Sequence, residues 1–241
     1  MHVASIQQPQ YFPWLGYFEQ LKVSDTAVLL DCVQWTKQGR QHRSEIQQRG
    51  GARSWLSIPV QSKDHRSKSI RDMRVDNSQN WKTRHWRQVE ASYRRSPYFE
   101  SQLEPILYSW FSSAPSSDLL ADTVEEGLKI IGNVLDVNHQ FQLSSQLSVS
   151  GNSTERLVNL CRELGSDVYY SSLGSALYLD LAKFRPFEIR VITQHWRAPA
   201  NLGNLSIVHA LAEMPLAEIR ESLEPKPWSF FGQRGKQEHS L

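Results

Sequence analysis

The residues best equipped for chemistry lie in two short stretches near the amino terminus. The first is Gln8-Pro9-Gln10-Tyr11-Phe12-Pro13-Trp14-Leu15-Gly16-Tyr17-Phe18. Gln8 follows an apolar run, and a buried amide without partners is costly, so it signals a ligand or a dedicated hydrogen bond. Tyr11, Trp14 and Tyr17 add stacking surface and polar tips, while Gly16 lets a ligand or backbone come close. The second stretch is Asp31-Cys32-Val33-Gln34-Trp35-Thr36-Lys37, with Arg43 shortly after. Asp31 has the chemistry of a general base, a hydroxyl-binding carboxylate or an ion-pair partner of Lys37 or Arg43. Lys37 and Arg43 suit a phosphate, and Gln34 a base or sugar.

Other catalytic patterns are missing. The eight histidines are scattered without HxxH or HExxH spacing, so no metal site is expected. There is no Walker-type loop and no GxSxG, and no cofactor is expected. Ser171-Ser172-Leu173-Gly174-Ser175 follows a strand-like run and offers backbone N–H groups to an anion. Cys32 and Cys161, the only cysteines, each lie in an apolar run and read as buried thiols.

The elements that position these groups follow an α/β rhythm. Residues 3–7 read as a buried strand, and two prolines end it; Pro13 then opens a helix to about Val23. Residues 26–33 form a second apolar, β-branched run, which completes a unit of βαβ size with parallel strands. That arrangement brings Gln8 and Gln34 to one sheet edge, where ligands of parallel sheets bind. Residues 34–54 predict a loop or irregular hairpin, and 55–60 and 69–75 predict strands. Three helices follow, at about 78–95, 99–111 and 118–135, the first carrying Trp81, His85, Val89 and Tyr93 on one face. Residues 141–145, 167–171 and 188–194 read as strands. Residues 152–164 read as a helix opened by an Asn152/Glu155 capping pair, 174–181 as a helical turn, and 205–212 and 216–223 as short helices. The fold class is therefore α/β: a Rossmann-like, mostly parallel sheet flanked by helices, with a helical insertion in the middle third (about 78–137). One domain spans 1–225, and 226–241 is expected to be a loose tail.

Composition narrows the function. The 241 residues include 8 Trp, 8 Tyr and 9 Phe, too aromatic for a disordered chain. No stretch approaches the ~18 apolar residues of a membrane span, and the first residues do not resemble a signal peptide, so a soluble cytoplasmic protein is expected. The net charge of +2 is unevenly spread: residues 37–95 hold 15 Lys or Arg against 5 Asp or Glu, and the remainder is acidic. Arginines interleaved with Trp, His and Gln suit phosphate recognition. An acidic remainder argues against a protein that coats nucleic acid and for a phosphorylated or nucleotide-linked small molecule.

The motifs together resemble the WbqC-like family. Gln8-Pro9-x-Tyr11-x-Pro13-Trp14-x-Gly16-Tyr17-Phe18, Ser24-Asp25 and Asp31-x-Val33-Gln34 with Lys37 and Arg43 carry the likeness. It continues through Trp55-Leu56-x-Ile58-Pro59-Val60, Trp81 with His85, Tyr93 with Pro97-Tyr98-Phe99, Glu155-Arg156-Leu157-Val158 and Tyr178-Leu179-Asp180, over about residues 3–212. The resemblance adds Trp81, His85 and Tyr178 to the substrate-binding candidates Gln8, Tyr11, Trp14, Tyr17, Gln34, Lys37, Arg43, Ser171 and Gly174, with Asp31 as the catalytic one. It implies a role in the biosynthesis of O-antigen, other surface glycans or modified sugars. Two positions depart from the family pattern: Ser172 stands where Gly is common, and His209 where an Asp is expected.

Three functions fit. The first is a transferase that modifies a nucleotide-activated or amino sugar, with Asp31 activating the attacking hydroxyl or amine. The second takes an aminoacyl group from aminoacyl-tRNA, the basic segment tracking the RNA. The third is a non-catalytic binding module of a glycan pathway.

Overall fold

The computed structural model describes residues 1–61, 67–137 and 141–225; the tail expected at 226–241 lies outside the described residues. In chain order the elements are β1 (Val3–Gln7), α1 (Leu15–Val23), β2 (Thr26–Leu29), β3 (Arg43–Gln47) and β4 (Arg53–Ser57). Then come α2 (Trp81–Tyr93), α3 (Glu104–Ser112), α4 (Leu120–Val134), β5 (Gln142–Leu143) and α5 (Thr154–Glu163). The chain closes with β6 (Val168–Ser171), α6 (Leu173–Ala176), β7 (Arg190–Thr193), α7 (Ile207–Glu213) and α8 (Leu216–Ser222).

Five strands form one parallel sheet in the order β5-β2-β1-β6-β7, flanked by helices, and β3 and β4 form a separate antiparallel hairpin. A parallel sheet covered on both faces needs strands that are apolar throughout. Val3, Ala4, Ser5 and Ile6 of β1 are accordingly all buried. Ile6, Val28 and Tyr169 pack under Val158 and Cys161 of α5 on one face. Ala27 and Leu29 face α1 and the large aromatic core on the other. The chain builds outward from β1 through β2 and β5, then returns to add β6 and β7 on the opposite side. The switch point of the sheet thus lies between β1 and β6, at the carboxyl ends of Gln7 and Ser171.

Several expected boundaries move. The second strand stops at Leu29, not Val33, because its partner β1 ends at Gln7, which pairs with Leu29. Residues 69–75 are not a strand: a 3-10 turn at Ile70–Asp72 is flanked by single bridges of Ser69 with Gln34 and Val75 with Val60. The helix expected at 99–111 begins as a π turn at Phe99–Leu103, and the strand expected at 141–145 is two residues long. The capping pair before α5 does not form; Ser153 stands at the cap with φ of 50° and no side-chain bond. The stripe Trp81, His85, Val89 and Tyr93 is wholly buried, as its spacing requires.

Candidate functional site

The turn after β1 is a tight elbow. Phe12 occupies the left-handed region at φ 38°, a conformation costing a bulky residue about 1–3 kcal/mol. Its surroundings fix it there. The Phe12 carbonyl accepts hydroxyl bonds from Ser44 and Ser206, both at 2.8 Å. Its ring packs against Trp110 and Phe111. Pro13 accepts the Ile207 N–H at 2.8 Å, and Arg40 accepts the Tyr11 N–H at 3.1 Å. The elbow is thereby clamped between α7 and the basic segment.

Downstream of the clamp, Trp14 folds back over the first turn of α1. A Cβ on Gly16 would fall 2.2 Å from the Trp14 ring, so only glycine admits this packing. Trp14 stays half-buried beside Trp196, at 5.8 Å between ring centroids. Tyr17 is buried, and its hydroxyl donates to the Gln8 carbonyl at 3.2 Å. Burial pushes its phenol far above the usual range.

Tyr11, Trp81 and His85 are brought together inside the core, at 1%, 1% and 2% exposure. His85 Nε2 faces the Ser57 carbonyl at 3.1 Å, which can only accept; Nε2 therefore carries the proton, and Nδ1 accepts the Tyr11 hydroxyl at 2.9 Å. Burial lowers the His85 pKa to about 4, so the ring is neutral at pH 7. These three side chains hold the elbow from beneath; none of them faces solvent.

The elbow's partner is Gln41. Its Nε2 donates to Gln8 Oε1 at 2.7 Å. Gln34, expected at this edge, is exposed and bridges Ser69, because β2 has already ended. In the two segments that the Gln8–Gln41 bond joins, five buried polar atoms have no hydrogen-bond partner among the described residues: Gln7 Nε2, Gln10 Oε1, Gln41 Oε1, His42 Nδ1 and Arg43 Nε. Such atoms are rare in folded proteins, and each calls for a bound water or a ligand group. His42 packs on Trp35 at 5.0 Å, and burial with the adjacent Arg43 charge lowers its pKa to about 4. The guanidinium groups of Arg43 and Arg40 lie over the Trp55 ring at 4.4 and 5.3 Å. Arg43 also donates to the Gln38 carbonyl, and Lys37 is exposed on the same loop.

Asp31 is 1% exposed. Its Oδ1 accepts from Ser144 Oγ and the Ser145 N–H, both at 2.8 Å, and its Oδ2 accepts from Ser145 Oγ at 2.6 Å. The carboxylate thus joins the end of β2 to the turn after β5.

At the switch point itself stands a polar network absent from the sequence expectations. Glu19, in the middle of α1 and 6% exposed, accepts from Tyr170 Oη at 2.9 Å and Gln194 Nε2 at 2.6 Å. Gln194 Nε2 also reaches the Gly16 carbonyl at 2.7 Å, and Gln194 Oε1 accepts from Gln20 at 2.7 Å. Burial raises the Glu19 pKa, and the two hydrogen bonds oppose it. Its one sequence signal was a charge four residues from both Leu15 and Val23, on the inward stripe of α1.

Ser171 is buried at the end of β6, its hydroxyl donating to the Ser172 carbonyl at 3.3 Å. Gly174 and Tyr178 are exposed on the segment that follows, Tyr178 at 84%. Among the described residues, no group of three His, Cys, Asp or Glu is placed to hold a metal ion. No described helix is long and apolar enough to cross a membrane.

The fold and site define an α/β protein of Rossmann-like architecture with buried amide side chains in and around the turn after its first strand. The family model of the WbqC-like protein family matches residues 8–207, and the chain belongs to that family. It is 27% identical over 191 residues to the uncharacterized protein Rv1507c of Mycobacterium tuberculosis, covering 79% of this chain and 81% of that one. No solved structure matches it.

Proposed function

We propose that the protein is a group transferase acting on a nucleotide-activated or amino sugar in surface-glycan or modified-sugar biosynthesis, with its ligand crevice at the elbow. The observation that carries this reading is the set of unsatisfied amide atoms on Gln7, Gln10 and Gln41, in the two segments that the Gln8–Gln41 bond joins. Amides offer donors and acceptors together, which matches the hydroxyls of a sugar. Arg40 and Arg43, held over Trp55, supply positive charge for a phosphate on the adjoining surface. Membership of a family associated with glycan biosynthesis supports the substrate class.

In this reading Trp14, half-buried at the rim, stacks on the ligand, and Lys37 adds charge. Asp31, the sequence candidate for a general base, acts instead as a positioning residue: its carboxylate already holds three donors.

Thermal unfolding with a panel of sugar nucleotides tests the reading. A ligand at a hundredfold excess over its Kd adds about 2.7 kcal/mol of stability. At least one sugar nucleotide should stabilise the wild type, and Gln41→Leu should lose most of that gain. Equal stabilisation of both proteins, or of neither, contradicts the reading. Tight RNA binding that weakens steeply with salt would favour the aminoacyl-tRNA function.

A further inference from the structure

The tip of the β3–β4 hairpin and the carboxyl-terminal half of α2 enclose an open cleft of about 700 Å³, away from the elbow. Its walls include Arg49, Gly50, Gly51, Arg87, Arg95 and His209. Tyr93 forms its floor, buried and accepting the Gln47 N–H on its hydroxyl at 3.0 Å. His85, beneath the elbow, precedes Tyr93 on α2 by eight residues, about 12 Å along the axis.

The charge on the walls points to an anion here. Arg49, Arg87 and Arg95 are exposed and make no ion pair or side-chain hydrogen bond among the described residues. Two carboxylates also line the cleft: Glu90 pairs with Arg94 at 3.4 Å, and Glu213 accepts the Ser96 hydroxyl, and against these two the four lining arginines still leave the walls net positive. Separately, His209 is 6% exposed, lines the cleft and leaves its Nδ1 without a partner. Its ring packs on Tyr93 at 5.7 Å and bonds the Asn201 backbone, so it is fixed in place. At the rim, Gly50 and Gly51 adopt φ of 93° and 91°, a turn that leaves the approach free of side chains. The volume suits a small molecule.

We propose that this cleft is a second ligand site, separate from the elbow, that takes the phosphate or pyrophosphate group of a nucleotide-sized molecule. The arginines grip the phosphate oxygens through their planar forks, and His209 forms part of the wall. The inference goes beyond the transferase reading and stands whether or not the elbow binds a sugar.

Calorimetric titration of the full chain at low salt with uridine diphosphate and with inorganic pyrophosphate tests it. Both should bind the wild type saturably. Arg49→Gln/Arg95→Gln, a surface variant that spares the core, should weaken both by at least about tenfold. Arg71→Gln/Arg185→Gln, which removes two exposed charges that do not line the cleft, should bind both within about twofold of wild type, which separates this site from general surface charge. The inference is overturned by absence of saturable binding or by Arg49→Gln/Arg95→Gln binding within about twofold of wild type. It is also overturned if Arg71→Gln/Arg185→Gln loses as much as Arg49→Gln/Arg95→Gln, or if single-stranded RNA binds far more tightly with a salt dependence of several phosphates.

Discussion

Gln41 donates its side-chain amide to Gln8 at 2.7 Å, and this bond ties the turn after the first strand to the basic segment 33 residues later. Removing it separates stability from binding. Gln41→Leu forfeits one hydrogen bond, worth about 1 kcal/mol in a urea titration. Sugar-nucleotide affinity should fall by at least about tenfold, since the variant also deletes an unsatisfied acceptor of the crevice. A loss of stability with unchanged affinity would make the bond purely structural.

Glu19 provides a pH test at the switch point. Its folded pKa is raised, so the native state keeps the proton to higher pH than the unfolded chain does. Its contribution to stability is therefore complete below the ordinary value of 4.5 and declines as pH rises through the folded value. Glu19→Gln keeps the shape and removes the titration. The stability difference between wild type and this variant, followed by urea unfolding from pH 4 to 8, should drift against the wild type as pH rises. Glu19→Ala removes the carboxylate that accepts from Tyr170 Oη and from one Gln194 Nε2 hydrogen, while Gln194 keeps its bond to the Gly16 carbonyl, and should cost about 1–3 kcal/mol.

Asp31→Asn places an amide where three donors converge. One amide N–H then opposes a donor, and stability should fall by about 1–3 kcal/mol. Any loss of activity should follow the unfolded fraction and recover where the variant is fully folded. A variant of wild-type stability and no turnover would return Asp31 to the role of general base.

The sheet was legible in the sequence because buried parallel strands are continuous apolar runs. Residues 3–7 and 167–171 stood out for that reason, and the four-residue stripe of α2 for a related one. The run at 26–33 misled, because apolar character does not reveal where pairing stops: β2 ends where its neighbour does, and Val33 then packs on the aromatic core. Gln34 was placed at the crevice by that extra length, whereas the position belongs to Gln41 of an irregular, polar loop without periodicity. The 3-10 turn at Ile70–Asp72 lies in a run whose apolar Ile70, Met73 and Val75 imperfectly mimic a strand. Tyr11, Trp81 and His85 showed the right residue types for binding, yet their shared burial became visible only when α2 was packed on the elbow. Glu19 was hidden because its partners, Tyr170 and Gln194, are more than 150 residues away.

Acid should unfold the protein through its buried histidines. His85 and His42 have folded pKa values of about 4, below the usual 6.5. Unfolding therefore takes up protons between those limits, and stability falls as pH drops from 6.5 toward 4. With both groups titrating, the slope approaches about 2.7 kcal/mol per pH unit at most. His42→Gln should remove about one proton of that slope in unfolding titrations; an unchanged slope would mean that His42 does not titrate on unfolding.

A crystal structure of the protein soaked with the sugar nucleotide that stabilises it most tests the crevice directly. Sugar hydroxyls are expected within hydrogen-bond distance of the side chains of Gln7, Gln10 and Gln41, with the ring against Trp14. A sugar bound elsewhere, with those three amides untouched at full occupancy, would contradict the account.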